Sequence, residues 1–462
     1  MASDQLKASS RSDQSRSMPN QTFPLLRYDR LSAIVAYRKH QPISVARFLD
    51  DVEALAALLP ARRHVINLCH DRYRFTVGLA AALCRNQISL LPPYDTPGLI
   101  NDLAADFLDL YCLTDSAASI TSIPSMTYPD DLGEPRAGPT LPVLEATRRA
   151  VLLFTSGSTG RPNPSVRSWG ALVRSARAAG NRLGVSSLAS ATIIGTVPHQ
   201  HSYGLESTVL LALQHGLTIQ SERPLFPADV RACLNAAPRP RILVTTPIHI
   251  RALLAEIDEL PPVDLLISAT APLTRQLAME AESRFHAPLL EIYGCSEAGQ
   301  LAVRHTARSS TWQCLDGIAF RQDEQGTWAS GEPIEAPTLL QDFIELSAPD
   351  RFMLHGRMAD VVNIAGKRSS LTYLNHQLTS IAGVKDGIFI MPEQDSEHVS
   401  RLVALVVAPG QTPSAILDTL RQRIDAAFLP RPLVFVPSLP RNTLGKLPRD
   451  ELLRLISERS SG

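Results

Sequence analysis

The stretch Leu153-Phe154-Thr155-Ser156-Gly157-Ser158-Thr159-Gly160-Arg161-Pro162-Asn163 constrains this chain more than any other. The apolar run Val151 to Phe154 predicts a short strand, and a loop of hydroxyls and glycines follows it. Glycine lets backbone approach a ligand closely and turn its N–H groups inward. Serine and threonine add donors for phosphate oxygens. Thr155, Ser156, Gly157, Ser158, Thr159 and Gly160 therefore read as a phosphate cradle, although taken alone the loop is equally a Ser/Gly-rich surface turn. It is not a Walker A loop, because Arg161-Pro162 follows Gly160 where that motif needs Lys-Ser or Lys-Thr.

The 462 residues are enough for a large core and more than one domain. Hydrophobic residues make up 44% and charged residues 19%, the balance of a globular protein. Lys+Arg and Asp+Glu both total 45, so no net field favours nucleic acid or an anionic membrane as partner. The six cysteines are scattered with no C-x-x-C pair, which argues against zinc and disulfides and for thiols in a reducing cytoplasm. No apolar run reaches the ~20 residues that span a bilayer. Residues 1–20 are rich in Ser, Gln and Arg and predict a disordered tail.

Helical and strand patterns alternate from Thr22 to Asp115: helices over Val45–Leu59 and Tyr73–Arg85, strands over His64–Leu68 and Ile88–Leu91. Pro124–Pro142 is Pro/Gly-rich and reads as a surface connection. A helix is expected over Ala171–Arg182, then strands at Ala191–Thr196, Leu217–Gln220, Ile242–Thr245, Leu265–Ser268 and Leu289–Tyr293. The fold class is α/β: a large N-terminal domain, 21–357, of layered, mostly parallel sheets with helices. A hinge at Ala359 and Asp360 joins it to a small α+β domain, 358–462, with strands at Gly387–Met391 and Leu402–Val407 and helices at Ser414–Phe428 and from Arg449. Four predicted strands end in small or polar residues: Pro198-His199-Gln200-His201, Thr245-Thr246-Pro247, Ser268-Ala269-Thr270-Ala271-Pro272 and Tyr293-Gly294-Cys295-Ser296-Glu297. Ligands of parallel α/β sheets bind beyond the carboxyl ends of strands, so these four define one expected site.

Thr155–Pro162, Tyr293–Glu297, Gly356–Arg368 and Pro440–Arg449 together, in this order, resemble the adenylate-forming superfamily of acyl- and aryl-CoA synthetases, peptide-synthetase adenylation domains and firefly luciferase. The resemblance runs from about residue 60 to the C-terminus. It implies ATP and Mg²⁺ as cofactors: a carboxylate attacks the α-phosphate of ATP, and a thiol then displaces AMP. By the same resemblance Thr155–Gly160 hold the β- and γ-phosphates, Glu297 reaches Mg²⁺ and Ser296 reaches the α-phosphate. Tyr293 and Ala269–Pro272, Ala271 among them, flank adenine. Asp342 binds the ribose hydroxyls, Arg357 adds a ribose or phosphate contact, and Lys446 neutralises charge in the adenylation step. His201 borders the carboxylate pocket, with His199 as its rival. In isolation each of these is also an ordinary core or surface residue.

The chain departs from the family pattern at three places. Asn163 stands where the cradle usually ends in lysine, Ala359 where the hinge has Asp or Lys, and Asn363 where a lysine often follows. The short chain is similar to ligases that load hydroxybenzoates onto acyl carrier proteins in xanthomonadin-type aryl polyene pigment pathways. His201, Tyr203, Thr246, Ala269 and Thr270 are the expected acid pocket, and its polar groups suit a hydroxylated aryl acid. From Val361 onward 12 Lys/Arg face 9 Asp/Glu, a net of +3 that suits an acidic carrier protein or the phosphates of CoA. Open alternatives are a CoA ligase for an aryl or medium-chain acid, a ligase passing its adenylate to a non-thiol acceptor, and a degenerate module that binds AMP or a carrier protein.

Overall fold

The computed structural model describes residues 21–92, 95–116, 123–134, 138–155, 163–256, 259–357, 361–364, 367–391, 401–440, 447 and 449–460. The expected tail and the hinge residues Ala359 and Asp360 lie outside them.

Two large sheets dominate the N-terminal part of the α/β fold, beside a two-stranded and a three-stranded one. The first has six strands in the order Asn163–Ser168, Arg149–Thr155, Ile88–Leu91, His64–Asn67, Leu110–Thr114 and Ser125–Thr127. All its pairs are parallel except the first, where Asn163 opposes Thr155. Ile88–Leu91 and Leu110–Thr114 are buried along their whole length, as strands covered on both faces must be. Ser125–Thr127 lies within the expected surface connection.

The second sheet has eleven strands. Its parallel centre runs Leu289–Cys295, Leu265–Ser268, Arg241–Thr245, Thr192–Gly195, Thr218–Gln220 and Ile34–Arg38. An antiparallel flank continues beyond Leu289–Cys295 through Gly299–Arg304, Trp312–Cys314, Arg351–Arg357 and Asp342–Ala348. One hydrophobic core joins the two sheets, and a second lies under the helices Pro227–Ala236, Pro247–Glu256 and Arg275–Phe285.

Local chemistry sets the helices. Ser44, Asp71 and Ser168 cap the helices Val45–Leu58, Arg72–Cys84 and Trp169–Leu183 by accepting the N–H of Arg47, Arg74 and Ala171. Trp169–Leu183 ends at Gly184, in the left-handed conformation at φ 71°.

The C-terminal residues form a hairpin, Val361–Ile364 with Lys367–Ser370, and a three-stranded sheet of Asp386–Ile390, Val403–Val407 and Leu433–Phe435. Helices Leu371–Thr379, Pro413–Arg421 and Arg449–Ser460 accompany them. The helix expected over Ser414–Phe428 stops at Arg421, and a separate 3₁₀ turn follows at Ala426–Phe428, with Asp425 capping it by accepting from Ala427 N–H. No helix of the described residues is long and apolar enough to cross a membrane.

Candidate active site

The carboxyl ends of the central parallel strands carry the expected site. Thr196 follows Thr192–Gly195, Thr246 follows Arg241–Thr245, Ala269 and Thr270 follow Leu265–Ser268, and Ser296–Glu297 turn between Leu289–Cys295 and Gly299–Arg304. Strand register sets Gly195 beside Val244, Thr245 beside Ser268, and Ser268 beside Glu291, so the ends fall side by side. Thr270 has φ 78°. A β-branched residue there is strained, and such strain concentrates at ligand sites. Ala269 is buried, Ala271 half-buried and Thr270 exposed.

Two residues expected at the nucleotide meet. The Tyr293 hydroxyl donates to Asp342 Oδ2 at 2.7 Å, although three strands separate them in the sheet order. The antiparallel flank therefore curls on itself, around Phe352, Trp312 and Phe320. Ring centroids are 5.6 Å from Tyr293 to Phe352, 5.7 Å from Tyr293 to Trp312 and 5.0 Å from Phe320 to Phe352. The Tyr293 ring is thus held by edge and tilted aromatic contacts. Asp342 pairs in register with the backbone of Arg357, so the expected ribose contacts share one strand end.

Glu297 is exposed in its turn and Ser296 half-buried. Burial, with the Glu297 carboxylate adding to it, pushes the neighbouring Cys295 thiol up to about 12. Among the described residues no three His, Cys, Asp or Glu side chains cluster as a metal cage. One exposed carboxylate fits Mg²⁺, which is held by one or two carboxylates plus substrate phosphates.

His201 is exposed and precedes the short helix Ser202–Gly204, whereas its rival His199 is buried. His199 Nε2 lies 2.8 Å from the Cys69 carbonyl, and its ring is 4.5 Å from Phe75. Burial, then the Arg72 guanidinium, lowers its pKa to about 3. His199 is a neutral structural group. Its unfolded pKa is near 6.5, so as pH falls from there toward 3 the unfolded chain binds a proton that the folded chain refuses. Stability should fall across that window by up to about 1.4 kcal/mol per pH unit from this group. The variant His199→Gln keeps a donor for Cys69 and should flatten the acid slope of urea midpoints between pH 7 and 4. An unchanged slope would assign the lability elsewhere.

Tyr203 does not offer its proton to the pocket as the sequence suggested. Its hydroxyl lies 3.0 Å from the Thr245 carbonyl and 3.1 Å from that of Ile267, and it donates to this pair. The phenol is thereby pinned against two strand ends.

Thr155 ends its strand, Asn163 begins the partner strand, and Arg357 ends Arg351–Arg357. Ser156, Gly157, Ser158, Thr159, Gly160 and Lys446 lie outside the described residues.

Three further features stand beside the expected residues. Glu206 is buried and accepts from Ser175 Oγ at 2.8 Å, Ser202 Oγ at 2.9 Å and Gln300 N at 3.4 Å, tying the segment after His201 to a neighbouring helix and strand. It sits in a buried π-helical run, Leu205–Leu210, a local irregularity common at functional sites. Arg167 is fully buried and donates through Nη2 to the Pro333 carbonyl at 3.2 Å. Its Nε and Nη1 have no partner among the described residues. His249 is linked to Thr196 and Thr246. A histidine two residues after the Thr-Thr-Pro strand end was the available signal for it.

Residues 104–321 match the model of the family described as AMP-binding enzyme. The 4-coumarate–CoA ligase of Rhodobacter capsulatus is 28% identical over 296 residues, 63% of this chain and 73% of that enzyme. The 3,4-dihydroxybenzoate–[aryl-carrier protein] ligase of Bacillus anthracis is 21% identical over 315 residues, 66% of this chain and 73% of that enzyme. The solved structure of ATP-bound MatB from Rhodopseudomonas palustris superposes with a TM-score of 0.78 at 17% identity, over 93% of this chain and 97% of that one. Over residues 104–321 the chain is thus similar to AMP-binding enzymes, and its fold is shared with a solved ATP-binding relative; both support an AMP-forming acid–thiol ligase.

Proposed function

We propose that this AMP-forming acid–thiol ligase activates a hydroxybenzoate-type aryl acid and transfers it to the phosphopantetheine arm of an acyl carrier protein, with CoA as the alternative thiol. The observation that carries the aryl acid is the set of strand ends at Thr196, Thr246 and Thr270, which place hydroxyls and small side chains beside the pinned Tyr203 ring. An alkyl chain would offer no acceptor to the half-buried Thr246 hydroxyl among them. The coumarate and dihydroxybenzoate specificities in the relatives' names support the same class. The resemblance to pigment-pathway ligases and the +3 charge from Val361 onward support the carrier protein.

In the first half-reaction an acid carboxylate oxygen attacks the α-phosphorus of ATP, and pyrophosphate leaves. Thr155–Gly160 grip the departing phosphates, Ser296 donates to the α-phosphate and Lys446 offsets charge between the reactants. Mg²⁺, held by Glu297 and the phosphates, supplies charge neutralisation when bound. Tyr293 and Ala271 flank adenine while Asp342 accepts from the ribose diol. In the second half-reaction the thiol sulfur attacks the acyl carbon, and AMP leaves. Rotation of the small domain, 358–462, about Ala359 and Asp360 exchanges the groups facing the acyl carbon.

Asp342→Ala should raise the KM for ATP about 10- to 100-fold, the loss of a charge-assisted hydrogen bond, with little change in KM for the acid. Tyr293→Phe should cost only a few-fold. An unchanged ATP KM in Asp342→Ala would remove Asp342 from the nucleotide site.

The deciding experiment for function is acid-dependent exchange of labelled pyrophosphate into ATP over a panel of aryl and alkyl acids, followed by mass spectrometry of products with holo-carrier protein and with CoA. Hydroxybenzoates should support the fastest exchange and the carrier protein should gain the acyl mass. Exchange with alkyl acids alone would overturn the aryl assignment, and acyl-CoA alone would overturn the carrier.

A further inference from the structure

His249 stands in the first turn of the helix Pro247–Glu256, directly after the Thr245-Thr246 strand end. Its Nδ1 is 2.9 Å from Thr196 Oγ1 and 3.1 Å from Thr246 Oγ1. Thr196 donates its one hydroxyl proton to Thr245 Oγ1 at 3.0 Å. The short Nδ1 contact is then satisfied when Nδ1 carries the ring proton and Thr196 accepts it. That tautomer leaves a lone pair on Nε2, which meets no partner among the described residues. Thr196 and Thr245 are buried and His249 is half-buried, so the Nδ1 edge faces the protein and the opposite, Nε2 edge is the open one.

Thr246 is the complement of this acceptor. Its oxygen faces Nδ1 and, more weakly, the His249 backbone N–H at 3.5 Å, both as donors in this tautomer. Its own proton is therefore free to donate outward. One open acceptor and one open donor, side by side, match a group that both donates and accepts. A phenolic hydroxyl is such a group; a methyl or a ring C–H is not. The Tyr203 phenol, pinned to the Thr245 and Ile267 carbonyls, stands at the same strand ends as an aromatic wall. Burial and then the exposed Arg223 lower the His249 pKa, which keeps the imidazole neutral near pH 7.

We propose that His249 Nε2 and the Thr246 hydroxyl together recognise a ring hydroxyl of the aryl acid, making this pair the specificity determinant of the pocket. The assignment rests on the aryl-acid reading above. Its chemistry is hydrogen bonding alone, with no proton transferred.

The test compares pyrophosphate exchange with benzoate, 3-hydroxybenzoate and 4-hydroxybenzoate in the full-length enzyme. Wild type should favour one hydroxybenzoate over benzoate in kcat/KM. His249→Leu should reduce that preference about tenfold, by raising KM for the hydroxylated acid and not for benzoate, with KM for ATP unchanged. Thr246→Val, which keeps the shape and loses the hydroxyl both as donor and as acceptor, should reduce it in the same direction. His249→Gln, whose amide oxygen can accept, should restore part of it. If wild type favours a hydroxybenzoate and His249→Leu keeps that preference with wild-type ATP KM, this assignment alone falls. If wild type exchanges with alkyl acids and with none of the three benzoates, the aryl reading falls and this assignment with it.

Discussion

Lys446→Ala should cut acid-dependent pyrophosphate exchange by about 10²- to 10³-fold while leaving the folded protein intact. Losing one preorganised charge or donor at a reacting centre typically has that effect. In the adenylation step a carboxylate must approach a phosphate that is itself anionic. A cation between them acts most strongly as the two negative groups close, so its loss falls mainly on kcat. The flanking packing indicates that the substitution spares the fold. Val436 and Leu439 before the Lys446 segment, and Leu452 after it, share one hydrophobic cluster with Ile390, Leu405 and Val407. These apolar contacts are made by residues other than the lysine. Lys446→Arg keeps the charge but changes its shape and reach, so it should recover only part of the rate. Thioester formation from a supplied acyl-adenylate should fall far less, because the α-phosphate chemistry is already complete. Full exchange activity in Lys446→Ala would remove the lysine from the reaction.

The central sheet was legible because its strands are short, uniformly apolar runs bounded by small polar residues. Ile88–Leu91 in the first sheet and Leu265–Ser268 in the second have the bounds the sequence predicts, four further strands of the second sheet differ by one or two residues at an end, and Ile34–Arg38 was not marked. The strand Asn163–Ser168 was not, since Asn-Pro-Ser-Val-Arg-Ser lacks apolar alternation. It forms because it pairs with Arg149–Thr155 along six residues. The hydrogen bond between Tyr293 and Asp342 was equally hidden. It depends on curling of the antiparallel flank, which no local pattern encodes, although each residue was singled out by its own motif. Polar strand ends marked where ligands bind but not which side chain faces them. Tyr203 turns its hydroxyl to backbone carbonyls, while His249, inside an otherwise ordinary helical stretch, joins the threonines. The arginine orphaned in the core was illegible for a related reason. Arg167 sits against Gly299, at φ 79°, where an added Cβ would come within 2.5 Å of its Nη1. Only the tertiary fit joins that glycine to that guanidinium.

Gly204→Ala should destabilise the protein by about 3 kcal/mol or more, at the upper end for overpacking, and remove exchange activity with it. Gly204 has ordinary helical dihedrals, φ −67° and ψ −42°, so backbone conformation does not demand glycine there. Space does. A Cβ would lie 1.9 Å from the Pro198 carbonyl oxygen, 2.7 Å from its carbon and 3.1 Å from His199 Cα. These are backbone atoms, which cannot swing aside as a flexible side chain would. Neither side has slack. His199 is held by the Cys69 carbonyl and Phe75, and the Gly204 carbonyl accepts from Thr208 Oγ1 at 2.6 Å. Tyr203, next in the chain, is fixed to Thr245 and Ile267. Relief must displace either the segment Pro198–His201 or the start of the helix, and both border the proposed acid pocket. Gly98→Ala is the matched control. It lies in the helix Pro97–Asp106 with open space around the new methyl, so it should be neutral or stabilising by up to about 1 kcal/mol. Denaturant midpoints of the two variants, with exchange rates at fixed ATP and acid, provide the comparison. Wild-type stability and activity in Gly204→Ala would show that the close approach of Pro198 is dispensable to the pocket.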